Sequence, residues 1–412
     1  MIVRRSAAVL AAPVVIGTAL APAAFAADAS PSPSQAIPSG LYGSTDPTYD
    51  GVWRQSLALL AQHTVGVKPA AKAVDWLTGQ QCASGAFAPY RADATAKCDA
   101  KTMVDTNSTS AAVQALAALG GHDTETGKAV AWLKSVQNKD GGWGYAAGGA
   151  SDANSTSVVI GALMAAGEKP GDVSKDGKSP YDALLKLSIP CAEDGGGAFA
   201  YQPDKKGKLA ANADATAAGV LGGLGKGFVT EAGQASKGSK CTGGDSLGPE
   251  DAAHNGAAYL AESLKDTPYL KSALAGAKDQ PDYGNTADAV VALSATGATS
   301  AAKEPLAWLE KNSGAWAAKA GPAAYAQLIF AAHATGTDPR DFGGADLVKQ
   351  LGATGPATDA SDYSAAPSEK KKDEKKKDDD KGLGVWWIVG VGLVAGIGIG
   401  FLLSGRNKKQ QL

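Results

Sequence analysis

The stretch of sequence that decides the fold is residues 128–167, KAVAWLKSVQNKDGGWGYAAGGASDANSTSVVIGALMAAG. It begins with an amphipathic segment, continues through a turn rich in glycine, and ends in a nearly all-apolar run that a glycine closes. The polar DANST before that run is typical of a helix N-cap, because such side chains accept hydrogen bonds from free backbone amides. We therefore predict a half-exposed helix, a loop and a buried helix.

This unit recurs along the chain. Six apolar runs each end in a glycine eleven residues after their first residue, at 55–66, 109–120, 156–167, 216–227, 286–297 and 325–336. Eleven residues make about three helical turns, and a terminal glycine can take the left-handed cap conformation. Six amphipathic segments accompany these runs, at 72–81, 128–137, 179–188, 255–264, 303–312 and 343–352.

The alternation predicts an all-α fold. A helix that is apolar on every side must be buried on every side, whereas an amphipathic helix covers the core with one face. We predict an α6/α6 toroid over residues 46–354, a closed ring of six inner and six outer helices. The alternative is an open helical solenoid, which would leave the inner helices more exposed to solvent than their apolar composition favours.

Two copies of the unit, at 72–87 and 128–143, share the pattern K-A-x-x-W-L-x-x-x-Q-x-x-x-G-x-aromatic. The pattern resembles the glutamine-tryptophan repeat of squalene cyclases and protein prenyltransferases, the terpenoid cyclase/protein prenyltransferase superfamily, whose fold is this toroid. In physical terms, Gln81 and Gln137 should tie the end of an outer helix to the next loop. Phe87 and Trp143 should stack beneath that loop.

The resemblance implies a functional cavity at the N-terminal ends of the inner helices. The acid motif of the cyclases, D-x-D-D-T-A, is matched only in part by NADATA at 212–217. No cysteine stands beside a histidine in the pattern of the prenyltransferase zinc ligands. We therefore predict a non-catalytic domain that holds no metal and no cofactor, and an enzyme acting on an isoprenoid is the alternative.

The same toroid without catalytic residues occurs in the intrinsic factor and transcobalamin family, which holds corrinoids at this rim. The segment DANSTSVVIGAL, at 152–163, resembles the way their inner helices begin. The resemblance implies capture of a bulky small molecule, with a corrinoid as the leading hypothesis; a structural or protein-interaction module is a further alternative. The predicted ligand-binding residues are Asp105, Asn107, Trp143, Tyr145, Asp152, Asn154, Phe199, Tyr201, Asn212 and Asp214.

Both ends of the chain predict export and anchoring at the cell membrane. Residues 1–26 combine an arginine pair, an apolar stretch and an A-x-A site, as in a cleaved signal peptide, and 27–45 form a flexible segment. Residues 385–403 carry no charge and are long enough for one transmembrane helix, with the large domain outside and 404–412 in the cytoplasm. A membrane transporter is a candidate partner.

Residues 355–384 form a charged stalk. Within 367–384, seven lysines are nearly balanced by six acids, which excludes nucleic-acid binding. In the transmembrane segment, Gly392, Gly396 and Gly400 recur every four residues, and this spacing leaves open a homodimer through one helix face.

Four cysteines are an even set in an oxidising compartment and favour disulfides over a cysteine nucleophile. Pairing nearest neighbours joins Cys82 to Cys98 and Cys191 to Cys241, each across a loop between an outer helix and the next inner helix. The other two pairings stay open on the sequence alone.

Overall fold

A computed structural model describes residues 36–235, 240–243, 247–272 and 280–358. This part of the chain is helical, and the predicted all-α class is confirmed. The six apolar runs form six helices, which we call the inner helices. They are α1 (Gly51–Thr64), α3 (Thr106–Leu119), α5 (Ala153–Ala165), α7 (Ala213–Gly223), α9 (Tyr283–Ala295) and α12 (Pro322–Thr335).

The six amphipathic segments form the helices that we call outer. They are α2 (Ala71–Gly79), α4 (Asp123–Ser135), α6 (Pro180–Leu187), α8 (Pro249–Ser263), α10 (Thr299–Asn312) and α13 (Leu347–Gly352). A short helix not predicted from the sequence, α11 (Gly314–Ala320), precedes α12, and β1 (Leu270–Lys271) pairs with β2 (Pro281–Asp282) in an antiparallel ladder.

The inner helices pack side by side in a fixed order. Each contacts the inner helix that follows it along the chain, and α12 contacts α1. Each outer helix also packs on the inner helix of its own repeat: α2 on α1, α4 on α3, α6 on α5, α8 on α7, α10 on α9 and α13 on α12. The main hydrophobic core extends through nearly all of these contacts.

Burial follows the composition of the two helix classes. In α3, every residue from Ser108 to Leu116 is buried, so the helix has no solvent face over more than two turns. In α4, the buried residues are Thr126, Ala129, Val130 and Leu133, which follow the i, i+3, i+4, i+7 spacing of one helical face.

Threonines at the start of the inner helices fix the loops above them. The hydroxyl of Thr109 accepts a hydrogen bond from the backbone N–H of Phe87 at 2.9 Å, and Thr156 accepts from Trp143 at 3.1 Å. Thr216 does the same at 3.0 Å for the backbone of residue 199, and Thr286 at 3.0 Å for the backbone of residue 270. Each threonine thereby links its inner helix to the preceding loop.

The glutamines of the repeat motif tie the end of an outer helix to the next loop, as predicted, and Gln81 also reaches the next repeat. The side-chain amide of Gln81 donates to the carbonyl of Gly85 at 2.9 Å and to that of Glu125, in the next outer helix, at 2.8 Å. Gln137 donates to the carbonyl of Gly141 at 2.8 Å. The outer layer is therefore bonded along the repeat direction as well as packed.

Both predicted disulfides are confirmed. Cys82 bonds to Cys98, and Cys191 bonds to Cys241; in each pair the Cα atoms are 5.6 Å apart. The second bridge differs from the prediction in one respect: it spans more than a loop, because the whole of α7 lies between Cys191 and Cys241, which are 50 residues apart in sequence.

The two ends of the repeat domain meet. The backbone N–H of Gly43 donates to the carbonyl of Thr354 at 2.8 Å, and Tyr42 is fully buried beside the C-terminal turn. A Cβ atom on Gly355 would clash with the ring of Tyr42, so this contact requires glycine. We call this junction the seam.

Several predicted segments lie outside the described residues. They are the signal peptide at 1–26, residues 27–35 of the flexible segment at 27–45, nearly all of the stalk at 355–384, the transmembrane helix at 385–403 with Gly392, Gly396 and Gly400, and the tail at 404–412. Within the described ranges, no helix combines the length and apolar character that a membrane crossing needs.

Candidate ligand-binding cavity

The six inner helices surround a cavity of about 220 Å³. Every inner helix contributes to its wall, as does a short segment that follows α7. The polar lining residues are Asn107, Gln114, Asn154, Ser157, Asp214, Lys226, Asp288 and Gln327. The larger apolar lining residues are Trp53, Leu57, Val158, Leu221, Phe228, Val291 and Phe330.

One end of the cavity, which we call the polar end, is built from the first turns of inner helices. Asn107, Asn154 and Asp214 are each the second residue of their helix. Asp288 and Gln327 are each the sixth residue of theirs, one turn deeper. Since helical register fixes these positions, amide and carboxyl groups from five helices converge here.

Two hydrogen bonds order the polar end. The amide nitrogen of Asn154 donates to Oδ2 of Asp214 at 2.6 Å. The amide nitrogen of Gln327 donates to both carboxyl oxygens of Asp288, at 3.1 and 3.3 Å. Each amide thus bridges neighbouring helices, α5 to α7 and α12 to α9.

Some polar atoms of the lining have no partner within the described chain. Oδ1 of Asn154 and Oγ of Ser157 are buried without a hydrogen bond, and so is Oδ1 of Asn107. The bond from Asn154 to Asp214 fixes the orientation of its amide, which leaves the carbonyl oxygen facing away from its partner. Burying an unpaired polar atom costs about 1–3 kcal/mol, so these acceptors suit a ligand that brings donors.

Burial changes the acidity of the two carboxyl groups. Removal from water raises the pKa of Asp288 to about 7; the negative charge of Asp214 adds to the rise, and the hydrogen bond from Gln327 opposes it. Burial also raises the pKa of Asp214, where the hydrogen bond from Asn154 acts in the opposite direction. The polar end therefore holds acids that gain from a cationic or hydrogen-bond-donating neighbour.

The other end of the cavity is closed by the segment after α7, residues 226–228, which we call the floor. Oε1 of Gln114 accepts a hydrogen bond from the backbone N–H of Phe228 at 3.0 Å. The Phe228 ring meets Trp53 edge-on at 5.4 Å between centroids and stacks on Phe330 at 6.4 Å. It thereby joins the inner helices on both sides of the seam.

Glycines allow the floor to approach the helices closely. A Cβ atom on Gly161, in α5, would lie 2.8 Å from the Cα atom of Gly227, so two backbones touch at this point. The chain then continues to α9, where the N–H of Gly233 donates to the carbonyl of Ser294 at 2.8 Å.

The sequence pattern predicts that the fourth inner helix ends at Gly227. In the structure this helix, α7, ends at Gly223, because the next residues turn inward to form the floor.

Of the ten predicted ligand-binding residues, Asn107, Asn154 and Asp214 line the cavity. Asp105, Asp152 and Asn212 are N-caps, whose side chains accept from backbone N–H groups at 2.6, 2.6 and 2.8 Å. Trp143 and Phe199 are buried in the core, and the indole N–H of Trp143 donates to the carbonyl of Leu133 at 2.7 Å. Tyr145 and Tyr201 are 46% and 44% exposed on the loops above the N-caps.

The residues that the sequence prediction missed lie deeper in the helices. Gln114, Asp288 and Gln327 are isolated polar residues within nearly all-apolar runs, and this isolation is the signal that could have identified them. Phe228 carries no comparable signal, since nothing in the local pattern shows that the loop turns inward.

No protein-family model matches the sequence, and a search of curated proteins finds no significant match.

The pKa of Asp288 predicts how stability depends on pH. Between 3.8, the ordinary aspartate value, and about 7, the folded protein binds more protons at this site than the unfolded chain does. This contribution to the free energy of unfolding therefore falls as the pH rises through that window. We expect Asp288→Asn to raise the free energy of unfolding at pH 8 by about 1–2 kcal/mol, less than the full pKa shift implies, because asparagine also gives up the charge-assisted hydrogen bonds from Gln327.

Urea unfolding at pH 4 and pH 8 measures this effect. The increase in the free energy of unfolding should appear only at pH 8, since the wild-type carboxyl group of Asp288 is already protonated in the folded protein at pH 4. Glu262→Gln, at an exposed ion pair on α8, is the control, and it should change the free energy of unfolding little at either pH. Equal changes at both pH values for Asp288→Asn would show that the charge of this residue does not matter to stability.

Proposed function

We propose that the repeat domain is a non-catalytic α6/α6 toroid that captures a small molecule in its central cavity. The proposal for the fold is supported by the packing order of the inner helices, in which α12 returns to α1. An open solenoid would leave those two helices apart. We further propose that the chain belongs with the toroid superfamily that its glutamine-tryptophan repeats resemble.

The observation that carries the functional proposal is the buried carbonyl oxygen of Asn154, which has no partner among the described residues and lies in a cavity with a largely apolar wall. Ligand sites of proteins combine apolar surface with a few directed polar groups, as this cavity does. If the lining had no ligand to bind, apolar residues at Asn154 and Ser157 would remove the cost of burying unpaired polar atoms.

The cavity also bears on the enzymatic alternative. A cyclase of the family's kind begins by protonating an alkene, which needs a strong acid. Burial raises the pKa of Asp288 to about 7, which keeps its carboxyl group protonated near neutral pH, as a general acid also requires. The case against a cyclase therefore rests on the acid motif, of which only Asp214, Thr216 and Ala217 are present.

The cavity volume limits how a corrinoid could bind. About 220 Å³ lies below the roughly 300–1,000 Å³ typical of pockets that enclose a drug-sized ligand. A corrinoid ring would therefore rest on the polar end and insert one amide side chain, whose N–H groups suit the free acceptors. A smaller ligand would be enclosed.

We propose that this capture takes place outside the cell membrane. The two disulfides favour an oxidising compartment, and the signal peptide and transmembrane helix predicted from the sequence give the same location. A membrane transporter is the partner to which a captured ligand would pass.

Native mass spectrometry of the full-length protein in detergent tests the proposal. The probes are a corrinoid, farnesol, 2-phenylethanol and 2-phenylethylammonium, each offered to wild type and to Ala218→Phe, which fills the cavity from α7. We expect at least one probe to bind wild type at 1:1 and not the variant. Binding of no probe to folded wild type, or equal binding to both proteins, would overturn the proposal.

A further inference from the structure

The acceptors at the polar end exceed the donors. Asp214 and Asp288 each receive hydrogen bonds from one side-chain amide among the described residues, and a carboxylate can accept about four. Asp282, at the start of α9, adds negative charge that acts on both. The basic residue of the lining, Lys226, belongs to the floor and is solvent-exposed.

An independent observation also indicates a ligand with donors. Ser157 is 4% exposed and lines the cavity, yet its hydroxyl oxygen has no partner in the described chain. The buried carbonyl oxygen of Asn154 also has no hydrogen-bond partner among the described residues. Of these two atoms, the carbonyl oxygen of Asn154 lies beside a carboxylate, because the amide nitrogen of the same side chain donates to Asp214. The Ser157 hydroxyl lies against Gly222, further along α7.

An anion fits this site poorly. Helix N-termini attract anions through their free backbone amides. Here side chains already occupy such amides: Asp105 binds that of Ser108, and Asp152 binds that of Ser155. The carboxylates of the polar end would also repel an anion.

The apolar part of the cavity fits the remainder of a small cation. The rings of Trp53, Phe228 and Phe330 lie together at the floor end, and Leu57 and Val291 extend the apolar wall. Aromatic faces attract cations by about 0.5–2 kcal/mol and also pack against hydrocarbon. An ammonium group supplies three N–H donors, which match the acceptors in number and sign.

We propose that the cavity binds a compact organic cation, an ammonium group held between Asp214 and Asp288 with its aryl or alkyl body on Trp53, Phe228 and Phe330. This inference rests on the proposed function, and it names the ligand class of the same cavity.

Isothermal titration calorimetry on the full-length protein in detergent tests the ligand class with three probes of similar shape. These are 2-phenylethylammonium, the neutral 2-phenylethanol and the anionic 3-phenylpropionate. We expect the cation to bind at least about tenfold more tightly than the alcohol, equivalent to about 1.4 kcal/mol, and the anion to show no binding.

Substitutions of single aspartates test which residues recognise the charge of the ligand. Asp214→Asn and Asp288→Asn should each weaken cation binding about tenfold or more and leave the alcohol within about threefold. Asp152→Asn is the matched control, because it makes the same change at a buried carboxylate that caps α5 outside the cavity. It should alter neither affinity.

The outcomes separate the two proposals. Equal binding of cation and alcohol, or a cation affinity that both cavity variants leave unchanged, would overturn the cation proposal and leave the capture function in place. Absence of binding by all three probes, together with the corrinoid and farnesol, would overturn both.

Discussion

Replacing Cys191 and Cys241 with serine is expected to lower the free energy of unfolding by about 4 kcal/mol. The bridge closes a loop across 50 residues, and in the chain-entropy model longer loops restrict the unfolded chain more. Cys82 and Cys98 close 16 residues, so their double serine variant should lose about 3 kcal/mol. Urea unfolding of the two double variants beside wild type measures both values.

The bridge between Cys191 and Cys241 should also affect the cavity. It links the loop that leads into α7 with the chain downstream of the floor, and the Sγ atom of Cys241 lies against Gly197. Its loss should therefore weaken ligand binding by the folded protein, whereas the variant at Cys82 and Cys98 should bind normally. A smaller loss of stability for the longer loop would contradict the entropic account.

Replacing Phe228 with alanine is expected to have the largest effect on the cavity itself. The substitution removes the ring that contacts Trp53 and Phe330 and should lower the free energy of unfolding by about 2–3 kcal/mol, below the 3–5 of a fully buried phenylalanine. Because the floor would then be open, we also expect at least a tenfold loss of ligand affinity, about 1.4 kcal/mol.

Phe228→Leu is the companion variant. It retains apolar volume at the floor and should recover most of the stability and more than half of the lost binding free energy. Calorimetry with a cavity ligand and urea unfolding give the two readouts. If alanine at this position leaves affinity unchanged in the folded protein, the floor plays no part in binding.

The helices could be predicted from the sequence because their signals are local. An apolar run with a terminal glycine needs only neighbouring residues to define a buried helix, and a DANST segment needs only its own side chains to cap one. The bonds that Gln81 and Gln137 make also follow from a motif within a single repeat.

The sequence could predict only the outer part of the polar end of the cavity. Asn107, Asn154 and Asp214 follow directly from the helix starts, which the caps define. Deeper in an inner helix the composition is apolar on all sides, so periodicity does not indicate which side faces the centre. For that reason Asp288 and Gln327 were missed.

The floor was missed for a different reason. Its position depends on contacts with Gln114 and Gly161, more than 60 residues earlier in the chain, and local sequence does not encode such contacts.

The seam has a consequence for the order of folding. It joins parts of the chain that are distant in sequence: the side chain of Arg340 donates to the carbonyl of Val65, 275 residues away. Closing so long a loop has a high entropic cost. We therefore expect the repeats to assemble first and the junction of α1 with α12 to form last. Trp53 and Phe330 come from opposite sides of this junction, so the cavity is complete only after it forms. A bound ligand that contacts both sides of this junction would therefore disfavour the separation of α1 from α12.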